Sequence, residues 1–273
     1  MGDAEVTARI VDLAAAMSRR GPYRAPVGAE VDDLADLADA LAAADVVRAC
    51  RTGERLGLAA EKIDGELVLS SDPTAERAWL VLVFRPGVAP DAVVEVPHPN
   101  ADLDTERIAF AVHERRPATL VLQAGAHRIA GAPRTATDRV DCPADVVVRE
   151  DSPFARIAAV LAGRGLPQVQ LHGFADRGDV DVVLSPGAAA HGALVDAVRA
   201  GLAAAGERIS TGDDPRWADL LGRRNVQGRA AARAGAAFVH LELSRSLRRD
   251  PERRDAVADA LAAALDAASG RMS

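Results

Sequence analysis

The sequence predicts an α/β protein of three layers, α/β/α, with a mostly parallel or mixed central sheet and a helical N-terminal extension. Three observations carry that expectation. From Ala92 onward, short apolar runs such as Ala92–Val96 and Thr119–Gln123 alternate with segments whose apolar residues recur at helical spacing. Those runs are apolar at nearly every position instead of every second one, as strands covered on both faces are. The first 60 or so residues, by contrast, read as helix.

Taken in order, Val6, Ile10, Leu13 and Met17 share one face of an amphipathic first helix. Val31, Leu34, Leu37 and Leu41 stripe a second, and Val46, Val47, Cys50 and Leu56 a third that ends near Gly57. Glu66–Ser70 and Trp79–Phe84 read as strands, separated by the turn-prone Ser71-Asp72-Pro73. Strand Ala92–Val96 leads into a helix from about Asp102 to Arg115, with Leu103, Ile108 and Val112 as its apolar stripe. Strand Thr119–Gln123 follows, then an irregular segment to about Glu150. Ser152 and Pro153 are an N-cap and first-turn proline for the next helix, whose inward residues are Phe154, Ile157, Val160 and Leu161. Strands Gln168–His172 and Val180–Ser185 come next, then a helix from about Ala188 to Ala205. A polar, Arg-rich stretch from 206 to 229 holds a short helix around Trp217–Leu221. Strand Ala236–Leu243 precedes a C-terminal helix bearing Val257, Leu261 and Leu265. With no internal repeat and no linker, the division is a helical N-terminal extension over 1–60 and an α/β domain over 61–273.

At 273 residues the chain can bury a sizeable core, and with aromatics at 3% that core must be built from Ala, Val and Leu. A net charge of −7 and a pI near 5.4 argue against nucleic-acid and anionic-membrane partners. No stretch approaches the 18 or so apolar residues of a membrane span. The first 20 residues carry acids early and lack the basic start and apolar core of a signal peptide. Two cysteines, Cys50 and Cys142, are too few for a disulfide framework or a thiolate metal site. A cytoplasmic protein is the expectation, with a homo-oligomer left open.

In such a fold, ligands sit at the carboxyl ends of the strands. His98 stands just past strand Ala92–Val96 and opens the string PHPNADLDTE, which brings Asp102, Asp104 and Glu106 within eight positions. His172 ends a second strand, in VQLHGF, and His127, in AGAHR, follows a third. Neutral imidazole and carboxylate are what a catalytic zinc site uses, with one position left open for water. His113, in the last turn of a helix, is expected to be solvated, and His191, at a helix start, to lie on the surface. Asp102 and Asp104 are each either a ligand or a helix N-cap, and Glu106 either a ligand or a first-turn dipole partner. Glu242 interrupts the apolar run Ala237–Leu243, two residues after His240. A buried carboxylate is costly unless partnered, so Glu242 is either paired, with Arg245 or His240, or held as a catalytic base.

Together these segments resemble the zinc carboxypeptidase superfamily, in its poly-γ-glutamate hydrolase-like branch, over roughly residues 80 to 268. VPHPNADLDTE is similar to that family's first motif, VQLHGF to its second and HLELSRSLR to its third; ADVVVRED lies where the family keeps a substrate-anchoring arginine. The resemblance implies that 61–273 is a hydrolytic domain of zinc carboxypeptidase type. One zinc ion would be held by His98, Asp102 and His172, with Glu106 the alternative carboxylate. Glu242 would be the general base for cleavage of an amide, peptide or γ-glutamyl-type, by metal-activated water. Arg149 would bind substrate, with Arg128, Arg245 and Asn225 (in RRNVQGR) as further candidates. The family's His-x-x-Glu spacing is not kept, since position 101 is Ala. Two other readings stay open: an N-formylglutamate-type amidohydrolase acting on small N-acyl amino acids, and a non-catalytic binding homologue of the same fold.

Overall fold

In a computed structural model that describes residues 3–133, 142–212 and 214–269, the apolar runs pair into one mixed sheet. The helices are α1 (Asp3–Ala15), α2 (Ala29–Ala42), α3 (Val46–Arg55), α4 (Thr105–Arg115), α5 (Pro153–Gly163), α6 (Ala193–Ala204), α7 (Val226–Ala234), α8 (Arg245–Arg249) and α9 (Pro251–Ala268). The strands are β1 (Ala59–Ile63), β2 (Glu66–Ser70), β3 (Leu80–Phe84), β4 (Ala92–Val96), β5 (Thr119–Ala124), β6 (Gln168–Phe174), β7 (Val182–Ser185), β8 (Ile209–Ser210) and β9 (Phe238–Ser244). They lie in the order β1-β2-β3-β5-β4-β6-β9-β7-β8. β5, β4, β6 and β9 run parallel at the centre, while β1, β2 and β3 form an antiparallel meander on the β5 side. β7 returns antiparallel to β9.

Helices cover both faces, as the continuous apolar runs require. One core packs Val94, Val169, Leu171, Val239 and Leu241 of the sheet under α1, α4, α6 and α9. The other packs Leu69, Leu80, Leu82, Leu120 and Leu122 under α2, α3 and α5. The N-terminal helices are therefore divided between the two layers, with α1 beside α4, α2 beside α5 and α3 beside α2.

Several local features differ from the sequence reading, among them Leu103, which lies exposed ahead of α4 instead of on its stripe. β1 is a short edge strand, largely exposed, whose composition carries no burial signal. α6 begins at Ala193, because Pro186 and Gly187, with φ +60, turn the chain first. α7 forms inside the Arg-rich stretch, its Val226, Ala230 and Ala231 buried. His113 is fully buried and not solvated: Nε2 lies 2.9 Å from Glu66 Oε2 and Nδ1 2.6 Å from the Thr119 carbonyl. The last turn of α4 lies against the sheet, so its inward face is dry, and the imidazole ties α4 to β2 and β5. Residues 134–141 of the irregular segment before Glu150 lie outside the described residues.

The topology creates the site. From β4 the chain crosses by α4 on one face to β5, then by α5 on the other face to β6, which lies on the opposite side of β4. Where successive crossovers diverge, a crevice opens at the carboxyl ends of the strands. Register makes one face of that region polar. Glu95, Gln170 and His240 stand side by side across β4, β6 and β9, and His172 stands beside Glu242. The opposite face at the same level is Val94, Val169, Leu171, Val239 and Leu241.

Candidate metal centre

After β4 the chain makes a single helical turn, in which the Asp102 N–H donates to the His98 carbonyl at 2.9 Å. Residues four apart face one another across such a turn, so the carboxylate belongs at position 102 and α4 begins three residues later than expected. Asp104, at the N-cap of α4, has left-handed backbone (φ +73) and makes no side-chain capping bond. Asp102 instead points its Oδ2 at two imidazoles, 3.3 Å from His98 Nδ1 and 3.1 Å from His172 Nδ1. Burial alone would raise the Asp102 pKa, but hydrogen bonds with His172 and His98 hold it well below the usual carboxylate range.

The outer nitrogens of both rings are also committed. His98 Nε2 lies 2.9 Å from Asp145 Oδ1, and Asp145 Oδ2 accepts from Arg128 Nη2 at 2.8 Å. Burial opposes ionisation of Asp145, yet the His98 hydrogen bond and the nearby Arg128 charge keep its pKa well below the usual range. An ionised carboxylate only accepts, so His98 Nε2 carries the proton. His172 Nε2 lies 3.1 Å from Gln170 Oε1, which also accepts from Asn225 Nδ2 at 2.7 Å. The Gln170 amide is oriented in turn: its Nε2 donates to Glu95 Oε2 at 2.8 Å and to Gln227 Oε1 at 3.3 Å. Gln227 is itself fixed by donating to the Val146 carbonyl at 2.8 Å.

That hydrogen-bond network orients both rings, and the donor set fits a metal. Both imidazoles turn Nδ1 toward one carboxylate oxygen, and a metal bound there would take the Nδ1 lone pairs. One ligand atom from each of His98, Asp102 and His172 lies within 4.8 Å of the others. Two imidazole nitrogens and a carboxylate are the ligand set of catalytic zinc, and Asp145 and Gln170 stand where outer-shell partners fix ligand histidines. Burial lowers His172 to about 4, so it is neutral at physiological pH, as a metal ligand must be.

The three residues open onto a cavity of about 480 Å³ that Arg128, Asn225, His240, Glu242, Asp219 and Arg224 also line. Glu242 is half-buried at the end of β9, and its carboxylate groups with His172 and His240. His240 is fully buried between Gly222 and the His172 ring, whose centroid is 4.9 Å away, and burial pushes its pKa well below the usual value.

The other expected residues are placed elsewhere. Glu106 is buried in the first turn of α4, outside the cluster, its pKa raised by burial. Arg149 turns to Asp151, with bonds of 3.0 and 2.7 Å, and does not line the cavity; neither does Arg245, at the start of α8. His127 is buried beside the cavity wall, and burial with the Arg19 and Arg128 charges lowers it to about 4. His191 is exposed and pairs with Asp196, as a surface histidine should. The residue that sequence reasoning missed is Asp145. It lies inside ADVVVRED, where attention went to the arginine. The signal was present in that a lone acid opens an apolar run, as Glu242 interrupts one.

No protein-family model and no curated protein matches the sequence. Several solved structures resemble the fold. A bacteriophage poly-γ-glutamate hydrolase aligns over 67% of this chain and 86% of its own, with 16% identity and a TM-score of 0.48. The zinc-free apo form of YNDL aligns over 68% and 89%, with 13% identity and a TM-score of 0.46. A metallo-carboxypeptidase from Burkholderia cenocepacia aligns over 71% and 61%, with 15% identity and a TM-score of 0.40. At this distance a likeness speaks to the arrangement of strands and helices, not to the reaction.

Proposed function

We propose that this chain is a zinc-dependent hydrolase that cleaves an amide bond, peptide or γ-glutamyl-type, in a small peptide or acylated amino acid. The observation that carries the reading is the convergence of two imidazole Nδ1 atoms and the Asp102 carboxylate in a cavity that also holds Glu242. His98, Asp102 and His172 would hold one zinc ion, which when bound supplies Lewis acidity for the amide carbonyl and acidifies water.

Glu242 shares that cavity, where it takes the proton of the attacking water and passes it to the leaving nitrogen. Arg128 is anchored by Asp145 through one amino group, and its other N–H groups bind a substrate carboxylate or the developing oxyanion. Asn225 gives its amide nitrogen to Gln170 and offers its carbonyl to a substrate N–H. Arg149 and Arg245 lie outside the cavity and have no part in this scheme.

Metal analysis and a substrate panel test the reading. About one zinc per chain is expected, lost in His98→Ala and His172→Ala. A panel of α- and γ-glutamyl peptides and N-acyl amino acids identifies the linkage. Glu242→Gln should keep zinc while turnover drops by about 10²–10⁴. A protein that binds no zinc, or a Glu242→Gln variant as active as the parent, refutes the mechanism.

A further inference from the structure

Two features of the quoted motifs are unused by the chemistry above: the glycine that follows His172 in VQLHGF and the arginine that closes HLELSRSLR. The structure puts them in contact. Arg248, in α8, is 3% exposed, and its guanidinium lies so close over Gly173 that any Cβ there would overlap it.

Each of its bonds goes to a different segment of the site. Nε donates to the Leu243 carbonyl at 3.1 Å, Nη2 to the Phe174 carbonyl at 3.2 Å, and Nη1 to the Leu103 carbonyl. Leu243 follows Glu242, Leu103 follows Asp102, and Phe174 lies two residues beyond His172. The hydrogen bonds around the guanidinium are all to backbone carbonyls, although the Asp102, Asp104 and Glu242 carboxylates are near enough to favour its charge. A buried guanidinium without a bonded carboxylate is an expensive way to hold a loop. Its planar fork is the side-chain group able to span carbonyls in several directions at once.

From this we infer that Arg248 is a positioning residue, a clamp that sets the spacing between the His98–Asp102 turn, the His172 strand and Glu242. Gly173 is the clearance that lets the clamp close. The inference rests on the proposed hydrolase reading for what is being positioned, but not for the clamp itself.

The test compares wild type with Arg248→Met, Arg248→Lys and Gly173→Ala, all as full chains. Zinc affinity is measured by chelator competition, and the absorption spectrum of the cobalt(II)-loaded protein reports ligand geometry without substrate. Ring signals of His98 and His172 in the metal-free protein are recorded by NMR, and folding is checked by thermal melts. In folded variants, at least a tenfold weaker zinc affinity is expected, with an altered cobalt spectrum. Gly173→Ala keeps the arginine, so it should reproduce the effect by displacing the guanidinium. It also serves if Arg248→Met does not fold. Arg248→Lys keeps the charge but not the fork, and should fall with the others.

Zinc affinities within threefold of wild type, with an unchanged cobalt spectrum, overturn the clamp and leave the hydrolase reading standing. A lysine variant equal to wild type also overturns it, because charge alone then suffices. If wild type binds no zinc, the hydrolase reading fails by itself. The clamp is then decided by the histidine ring signals, supported if the folded variants shift them and overturned if they do not.

Discussion

Asp145→Asn is the substitution whose consequence follows most directly from the geometry. The side chain is fully buried, and its two oxygens are fully used, one by His98 Nε2 at 2.9 Å and the other by Arg128 Nη2 at 2.8 Å. Asparagine keeps the shape but replaces one acceptor with a donor. If the new NH₂ faces Arg128, two donors meet. If it faces His98, the ring must accept at Nε2, and its proton moves to Nδ1, the atom aimed at Asp102. Zinc must then displace that proton or force the ring back against a donor. Outer-shell partners of this kind are worth about 10–100-fold in metal affinity, or about 1.4–2.8 kcal/mol.

The same change breaks a buried ion pair from one side, which typically costs about 3–5 kcal/mol; Arg128 keeps some access to solvent, so the lower end is expected. Asp145 is ionised in the fold at a pH where the unfolded chain is already protonated. Its contribution is therefore fully present above the unfolded value, about 3.9, and fades as the pH falls further. Wild type and Asp145→Asn should differ at pH 7 and converge in acid. Chelator competition for zinc at pH 7, and urea unfolding at pH 7 and at about pH 2, read both effects. A variant that binds zinc within twofold of wild type would remove the basis for assigning His98 as the Nε2–H tautomer.

Three further outcomes are expected. Gln170→Met deprives His172 Nε2 of its acceptor with a side chain of similar length, so zinc affinity should fall about 10–100-fold by the same competition assay. Glu95 is raised by burial to about 8, so the fold keeps a proton that the unfolded chain releases above about 4.5. Stability should therefore decline as pH rises through that window and level off above 8. Glu95→Gln should flatten the decline, with a difference of roughly a few kcal/mol at pH 8 in urea melts. Gly222 has φ +57 and lies against the His240 ring, where a Cβ would overlap it. Gly222→Ala should cost roughly 1–2 kcal/mol in backbone strain alone, read as a lower melting temperature, and should displace His240 in a crystal structure.

The parallel centre and its apolar strands were legible because burial on both faces leaves a one-dimensional trace in runs such as Thr119–Ala124. His98, His172 and Glu242 were legible for a related reason, being polar residues at the ends of such runs. Choosing Asp102 over Glu106 needed the turn geometry, since Asp102 reaches His98 only because its N–H closes a helical turn on the His98 carbonyl. Asp145 marks itself as a lone acid opening an apolar run, but its pairing with a histidine 47 residues away needs the fold, and Gln170 shows as a partner only once β6 puts it on the same face as His172. His113 was misjudged because a helix end is solvated only when the helix points away from its sheet. The arginines were hardest to place. With so many in the chain, whether Arg128 or Arg149 faces the cavity depends on which carboxylate lies closer in three dimensions.

The two faces of the central strands divide the work of the molecule. On the α1, α4, α6 and α9 side, β4, β6 and β9 present Ala92 and otherwise Val and Leu to the core, and this is where burial of apolar surface stabilises the fold. On the other side the same strands present Glu95, Gln168, Gln170, His172, His240 and Glu242, all but Glu242 fully buried. Such a row is costly where its atoms lack partners, as Glu95 Oε1, Gln168 Oε1 and His240 Nδ1 do. At its centre, however, Gln170 uses both donors and its acceptor oxygen on Glu95, Gln227, His172 and Asn225. The network costs stability relative to an apolar face, and what it gains is one orientation for each imidazole. It follows that substitutions on this face should change ligand geometry and metal affinity before they unfold the chain, since the opposite core is left intact. A polar-face substitution such as Gln170→Met that abolished folding outright would show that the network supports the fold itself.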